Sequence, residues 1–119
     1  MQKVLLIACL LVLSGCASTP TQEEMLNADY GECPQNYEQT IKNIMAMRLR
    51  DPDSAQYRFE QPFRGWADKG LINGGGKEFG WVVKVAVNGK NGYGGYTGFQ
   101  PFAFLFRGEN MVREIWVMQ

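Results

Sequence analysis

Phe79-Gly80-Trp81-Val82-Val83-Lys84-Val85-Ala86-Val87-Asn88 is the stretch that decides the fold. Four of its ten residues are valine, whose branched side chain is stiff in a helix and packs well on a pleated surface. Side chains alternate along a strand, so Trp81, Val83, Val85 and Val87 share one face and Val82, Lys84, Ala86 and Asn88 the other. The first face is wholly apolar and the second only partly polar, which predicts a central strand.

Downstream, Asn88-Gly89-Lys90-Asn91-Gly92 supplies two Asn-Gly pairs, a strong hairpin signal because both residues reach positive φ cheaply. Gly98 to Arg107 alternates again, with Phe102, Phe104 and Phe106 opposite Phe99, Ala103 and Leu105. After a turn at Arg107-Gly108-Glu109-Asn110, Met111 to Val117 closes the chain, with Met111, Ile115 and Val117 opposite Val112 and Trp116. Successive strands with short connections predict an antiparallel meander.

Upstream, Tyr57 and Phe59 alternate with Arg58 and Glu60, which predicts a short strand over 54–61. Pro62 confines it to an edge or an end. Before it, Tyr37, Ile41, Ile44, Met45 and Leu49 form one stripe at helical spacing, and a helix is expected over 34–50. Pro34 suits its first turn, and Asp51-Pro52 stops it. Met45 and Met47 read as core filling. The fold class is α+β: one N-terminal helix packed on a small antiparallel sheet of about four strands. Residues 65–98 hold 11 of the 14 glycines, read as turns, with Gly74-Gly75-Gly76 as a loop tip. No phosphate-binding glycine pattern stands between a strand and a helix.

The N-terminus has a different character. Lys3 is the only charge before Glu23, and Val4 to Leu13 is an unbroken apolar run. That is the charged start and short apolar core of an export signal, too short to span a bilayer, which takes about 20 apolar residues. Leu13-Ser14-Gly15-Cys16 then resembles the lipobox of bacterial lipoproteins. The resemblance implies cleavage after residue 15, diacylglycerol on the Cys16 thiol and a further acyl chain, such as palmitate, on the freed amino group. Several chains hold a protein firmly to a membrane where one does so only marginally. Ala17 in place of Asp implies transfer to the outer membrane of a two-membrane bacterium, where the protein is expected to face the periplasm. The expected organisation is a signal peptide over 1–15, a lipidated, polar, flexible tether over 16–29, and a single domain over 30–119.

Removing the signal leaves 11 Lys+Arg against 12 Asp+Glu, since Lys3 leaves with it. No basic footprint for nucleic acid is visible. Histidine is absent, which removes the commonest general base and metal ligand. No cofactor or metal is expected. Cys33 is left without a partner in the mature chain, read as a half-buried thiol or an intermolecular disulfide.

Asp29-Tyr30-Gly31, Pro34-Gln35-Asn36-Tyr37-Glu38, Leu49-Arg50-Asp51-Pro52-Asp53-Ser54-Ala55 and Lys90-Asn91-Gly92-Tyr93-Gly94-Gly95-Tyr96-Thr97-Gly98 together resemble a family of small uncharacterised proteobacterial lipoproteins. The resemblance implies a location and a fold, and brings no activity with it. The plan of lipid, tether, helix and sheet is also similar to small lipoprotein subunits of outer-membrane assembly machinery.

The function expected is therefore non-catalytic: an envelope lipoprotein, held at the membrane by lipid on Cys16, that binds another envelope protein. Tyr93, Tyr96 and Trp66 are the candidate contact residues, because tyrosine and tryptophan offer large contact area at little entropic cost. The alternatives are a cell-wall or glycan-binding lipoprotein and, behind it, a hydrolase using Asp51 and Asp53 or Lys84.

Overall fold

The computed structural model describes residues 19–70 and 74–115. Along them run a short helix α1 (Gln22–Asn27), a longer helix α2 (Tyr37–Ala46), a 3-10 turn (Pro52–Ser54) and five strands: β1 (Gln56–Phe59), β2 (Phe63–Asp68), β3 (Lys77–Lys90), β4 (Tyr96–Arg107) and β5 (Asn110–Ile115). All strands pair antiparallel in one sheet, so the α+β expectation holds. The valine-rich stretch is its spine. β4 pairs along one side of β3, while β1 and β2 share the other, β2 against Lys77–Val82 and β1 against Val85–Asn88. β5 pairs the outer side of β4.

β2 is the strand the sequence reading missed. Pro62 reads there as a terminator and the nearby glycines as turns. The alternation is nonetheless present, Phe63, Gly65 and Ala67 on one face and Arg64, Trp66 and Asp68 on the other. Gly65 faces Gly80 across the pairing. A Cβ on Gly65 would lie 2.5 Å from Val82 Cγ2, and one on Gly80 would come closer than 3.0 Å to the Phe106 carbonyl oxygen. Glycine in a strand interior marks such close approaches. The sheet curls here enough for Trp66–Asp68 of β2 and Arg113–Ile115 of β5, on opposite edges, to line one pocket.

One sheet face carries the main core. Val83, Val85, Val87, Phe104 and Phe106 are buried against Ile41 and Met45 of α2. Each fully buried phenylalanine contributes about 1.5–3 kcal/mol. Tyr37, Ile44, Leu49, Tyr57, Phe59, Trp81, Phe102 and Met111 pack around this cluster. The opposite face has a smaller one, Ala67, Val82, Ala103 and Leu105 beside Ile115.

α2 is shorter than its apolar stripe predicted. The N–H groups just ahead of it are satisfied from far away: Gln35 and the N-cap Asn36 donate their backbone N–H to the Glu109 carboxylate at 2.9 and 2.8 Å. At the other end, Met47 N–H reaches back to Ile44 O and Arg48 N–H to Met45 O, a tightened last turn. Met45 is buried, whereas Met47 is 83% exposed. The core-filling expectation therefore fails for Met47, which caps the helix and points outward.

Two further details depart from the pattern. A register shift between Leu105 and Phe106 pairs Leu105 with Arg113 but Phe106 with Met111. Val112 is the extra residue of a bulge, so Met111 joins the main core and Ile115 the other face, not one face as expected. Trp116 and Val117 lie outside the described residues. Within the expected tether over 16–29, residues 22–27 are helical. Thr21 Oγ1 accepts from Glu24 N–H at 3.1 Å, and Thr21 N–H donates to Glu24 Oε1 at 3.3 Å. This capping box starts a helix without an apolar period. Hydrogen bonds to the sheet begin just after, with Arg107 Nη1 donating to Asp29 O, Trp81 Nε1 to Gly31 O and Gly108 N–H to Glu32 O.

Candidate functional site

The β3–β4 hairpin carries the most exposed aromatic residue of the described chain. The first Asn-Gly pair is not the turn. Asn88 is buried inside β3, where its Nδ2 donates to Gln56 Oε1 at 3.0 Å and its Oδ1 accepts from Gly98 N–H at 2.9 Å. One side chain thus ties β1, β3 and β4 together below the loop. The second pair makes the turn. Asn91 Oδ1 accepts from the N–H groups of Tyr93 and Gly95, at 2.9 and 3.1 Å. Asn91 N–H donates to Gly95 O, and Gly94 N–H to Asn91 O. Gly94 has φ +80°, a conformation open to glycine at no steric cost.

Tyr93 sits on this pinned tip and is 99% exposed. Tyr96 is engaged instead. Its hydroxyl donates to Ser54 O at 2.8 Å, and Lys90 Nζ lies 5.3 Å from its ring centre. The end of the chain segment after α2 borders the loop, since Leu49 and Arg50 approach Gly89 and Gly92.

Trp66 does not join the tyrosines. It pairs with Phe79 near the start of β3, whereas Tyr96 pairs with Lys90 at the other end. Those register positions, Phe79 and Lys90, are eleven steps of strand apart, roughly 36 Å at 3.3 Å per residue. Trp66 is half-buried with Lys77 Nζ 4.8 Å from its ring centre, and Lys77 also pairs with Asp68. Cys16 lies outside the described residues. Cys33 is half-buried and free, its Sγ beside Pro34 O.

A second concavity opens on the sheet face opposite α2. Met25 of α1, Tyr30, Phe63, Gly65, Trp66, Val82, Ala103 and Ile115 line a groove of about 450 Å³, with Arg64 and Lys84 also on its wall. Arg64 lies over the rings of Tyr30 and Trp81, at 5.4 and 5.5 Å, and Lys84 over Phe63 at 5.5 Å. No carboxylate lines it. The sequence held a signal for this site in the alternation of Phe63, Gly65 and Ala67, but the groove exists only because β2 pairs and curls. The carboxylates considered for catalysis, Asp51 and Asp53, are both exposed on either side of Pro52.

No protein-family model matches the chain, no curated protein matches it, and no solved structure matches it.

Proposed function

We propose that this chain is a lipid-anchored, non-catalytic lipoprotein of the outer membrane, facing the periplasm, that docks another envelope protein through the Tyr93 loop. The observation that carries the docking role is Tyr93 itself, 99% exposed on a hairpin held by four hydrogen bonds at its turn. A large exposed aromatic side chain on a rigid mount is the form that interface hot spots take, because little ordering entropy is lost on binding. The anchor rests on the signal and on Leu13-Ser14-Gly15-Cys16. The family resemblance of the Asp51-Pro52-Asp53-Ser54-Ala55 and Tyr93–Gly98 segments supports the same location.

The two halves of the reading fit geometrically. The chain joins the sheet at Asp29–Glu32, beside Phe79 and Arg107, whereas Tyr93 lies beyond the far end of β3. A protein held by its N-terminus would present Tyr93 away from the bilayer, towards the periplasmic space. Catalysis is disfavoured by the absence of histidine and by the open setting of Asp51 and Asp53.

Crosslinking in intact cells, followed by purification of the lipidated chain, tests the docking role. One abundant envelope protein should copurify with the wild type and be lost on Tyr93→Ala. Retention of that partner by Tyr93→Ala refutes the contact site. Cys16→Ala tests the anchor: the protein should appear in the soluble envelope fraction or remain an uncleaved precursor, and wild-type membrane extraction of that variant would overturn the anchor.

A further inference from the structure

The groove opposite α2 combines features the docking role does not use. Its wall is apolar over Phe63, Val82, Ala103 and Ile115, and Met25 of α1 closes one side. Arg64 and Lys84 both border it, but Arg64 pairs with Trp81 and lays its guanidinium over that ring on the α2 side of the sheet, so Lys84 alone carries its charge on the groove's own face. Lys84 is packed over the Phe63 ring, and it forms no ion pair among the described residues, although Glu60 stands across the strand pairing from it on the side away from the groove. The other cations nearby are already matched, Lys77 by Asp68 and Arg113 by Glu78. The groove's size lies in the range of small-molecule sites, about 300–1,000 Å³. An apolar trough with unmatched positive charge and no acid on its wall is complementary to a ligand that is apolar along its length and anionic at one end.

We propose that this groove binds a long-chain fatty-acid anion. The acyl chain lies along Phe63, Val82, Ala103 and Ile115, and the carboxylate meets the Lys84 ammonium. The stacking of Lys84 on Phe63 holds it at the wall and leaves its N–H groups for the ligand. Gly65, where a side chain would collide with Val82, keeps the floor open between β2 and β3. The inference stands on this geometry and is independent of Tyr93 and its partner.

The test is photolabelling of the full chain, purified lipidated and reconstituted in vesicles of neutral phosphatidylcholine, with a diazirine-bearing stearate. Labelled peptides should map to β2 and to Val82–Lys84. Excess unlabelled stearate should compete, and stearyl alcohol should not. Lys84→Gln, an exposed substitution that leaves the core intact, should weaken labelling by roughly fivefold, the upper end of one exposed charge contact. Labelling confined to residues before α1, equal competition by the alcohol, or full labelling of Lys84→Gln would overturn the proposal. Two other occupants give distinct results that also overturn it. Labelling that appears only in Cys16→Ser would mean that the chain's own lipid fills the groove. Labelling that appears only after deletion of residues 116–119 would mean that the C-terminus does.

Discussion

Gly80→Ala isolates the close approach of β3 and β4 at Gly80. Gly80 is buried in the middle of the β2–β3–β4 pairing. A methyl group there would come closer than 3.0 Å to the Phe106 carbonyl oxygen and sit 3.1 and 3.3 Å from Leu105 Cδ1 and Cγ. The first neighbour is backbone in a paired strand and cannot rotate away, so β3 and β4 must separate locally. Overpacking of this kind costs about 1–3 kcal/mol. The unfolded chain loses freedom when glycine becomes alanine, which offsets about 0.4–1 kcal/mol. The net expectation is a loss of about 1–2 kcal/mol, seen as a fall in Tm of roughly 4–16 °C for a domain of this size.

Gly89→Ala is the matched control. Its methyl would meet only Leu49 Cδ2, at 3.1 Å, the far end of a flexible side chain, so its stability should stay within about 0.5 kcal/mol of wild type. Urea unfolding followed by far-ultraviolet circular dichroism gives both numbers. A Gly80→Ala protein as stable as Gly89→Ala, with the same urea slope, would refute the reasoning about the close approach.

Two other expectations follow from single side chains. The backbone N–H groups of Gln35 and then Asn36 hold the Glu109 carboxyl below its ordinary value; such a group stabilises the fold above its unfolded value of about 4.3 and loses that contribution as pH falls through the lower folded value. Wild type should therefore exceed Glu109→Gln in Tm at pH 7, and the gap should shrink as pH falls through and below the ordinary carboxylate range; a gap constant over that range would contradict the capping role. Asn88→Ala strands the N–H of Gly98 and the amide of Gln56, so it should cost about 1–3 kcal/mol in urea unfolding and raise amide exchange across 89–98, and unchanged exchange would remove Asn88 from its role beneath the loop.

The parts of the fold legible in sequence were those written in local alternation. The β3 and β4 faces and the core positions Ile41 and Met45 followed from periodicity alone, because burial on one face forces that pattern. What escaped was written at long range. The start of α2 is held by Glu109, more than seventy residues away, and no local signal near Asn36 reports it. β2 escaped because Gly65 replaces the apolar residue its alternation needs, and the reason for that glycine is Val82 on the next strand. The bulge at Val112 hides in the same way, since it is a mismatch of two strands and not a property of either. At the candidate site, the exposure of Tyr93 was legible from its glycine neighbours. The engagement of Tyr96 with Ser54 and the distance of Trp66 were not, because both depend on which segments meet.

The interruption at Pro62 has a consequence for copies of the molecule beside one another. A sheet edge offers unpaired N–H and C=O groups and invites another chain to extend it. On one flank, β1 and β2 together would present a continuous edge of that kind, but Pro62 falls between them and has no N–H to give. On the opposite flank, the bulge at Val112 throws β5 out of regular pleat. Each border is thus broken near its middle, and among the described residues no straight, fully donating rim is left for a neighbour to copy. Molecules crowded side by side are thereby protected from joining their sheets into a growing fibre.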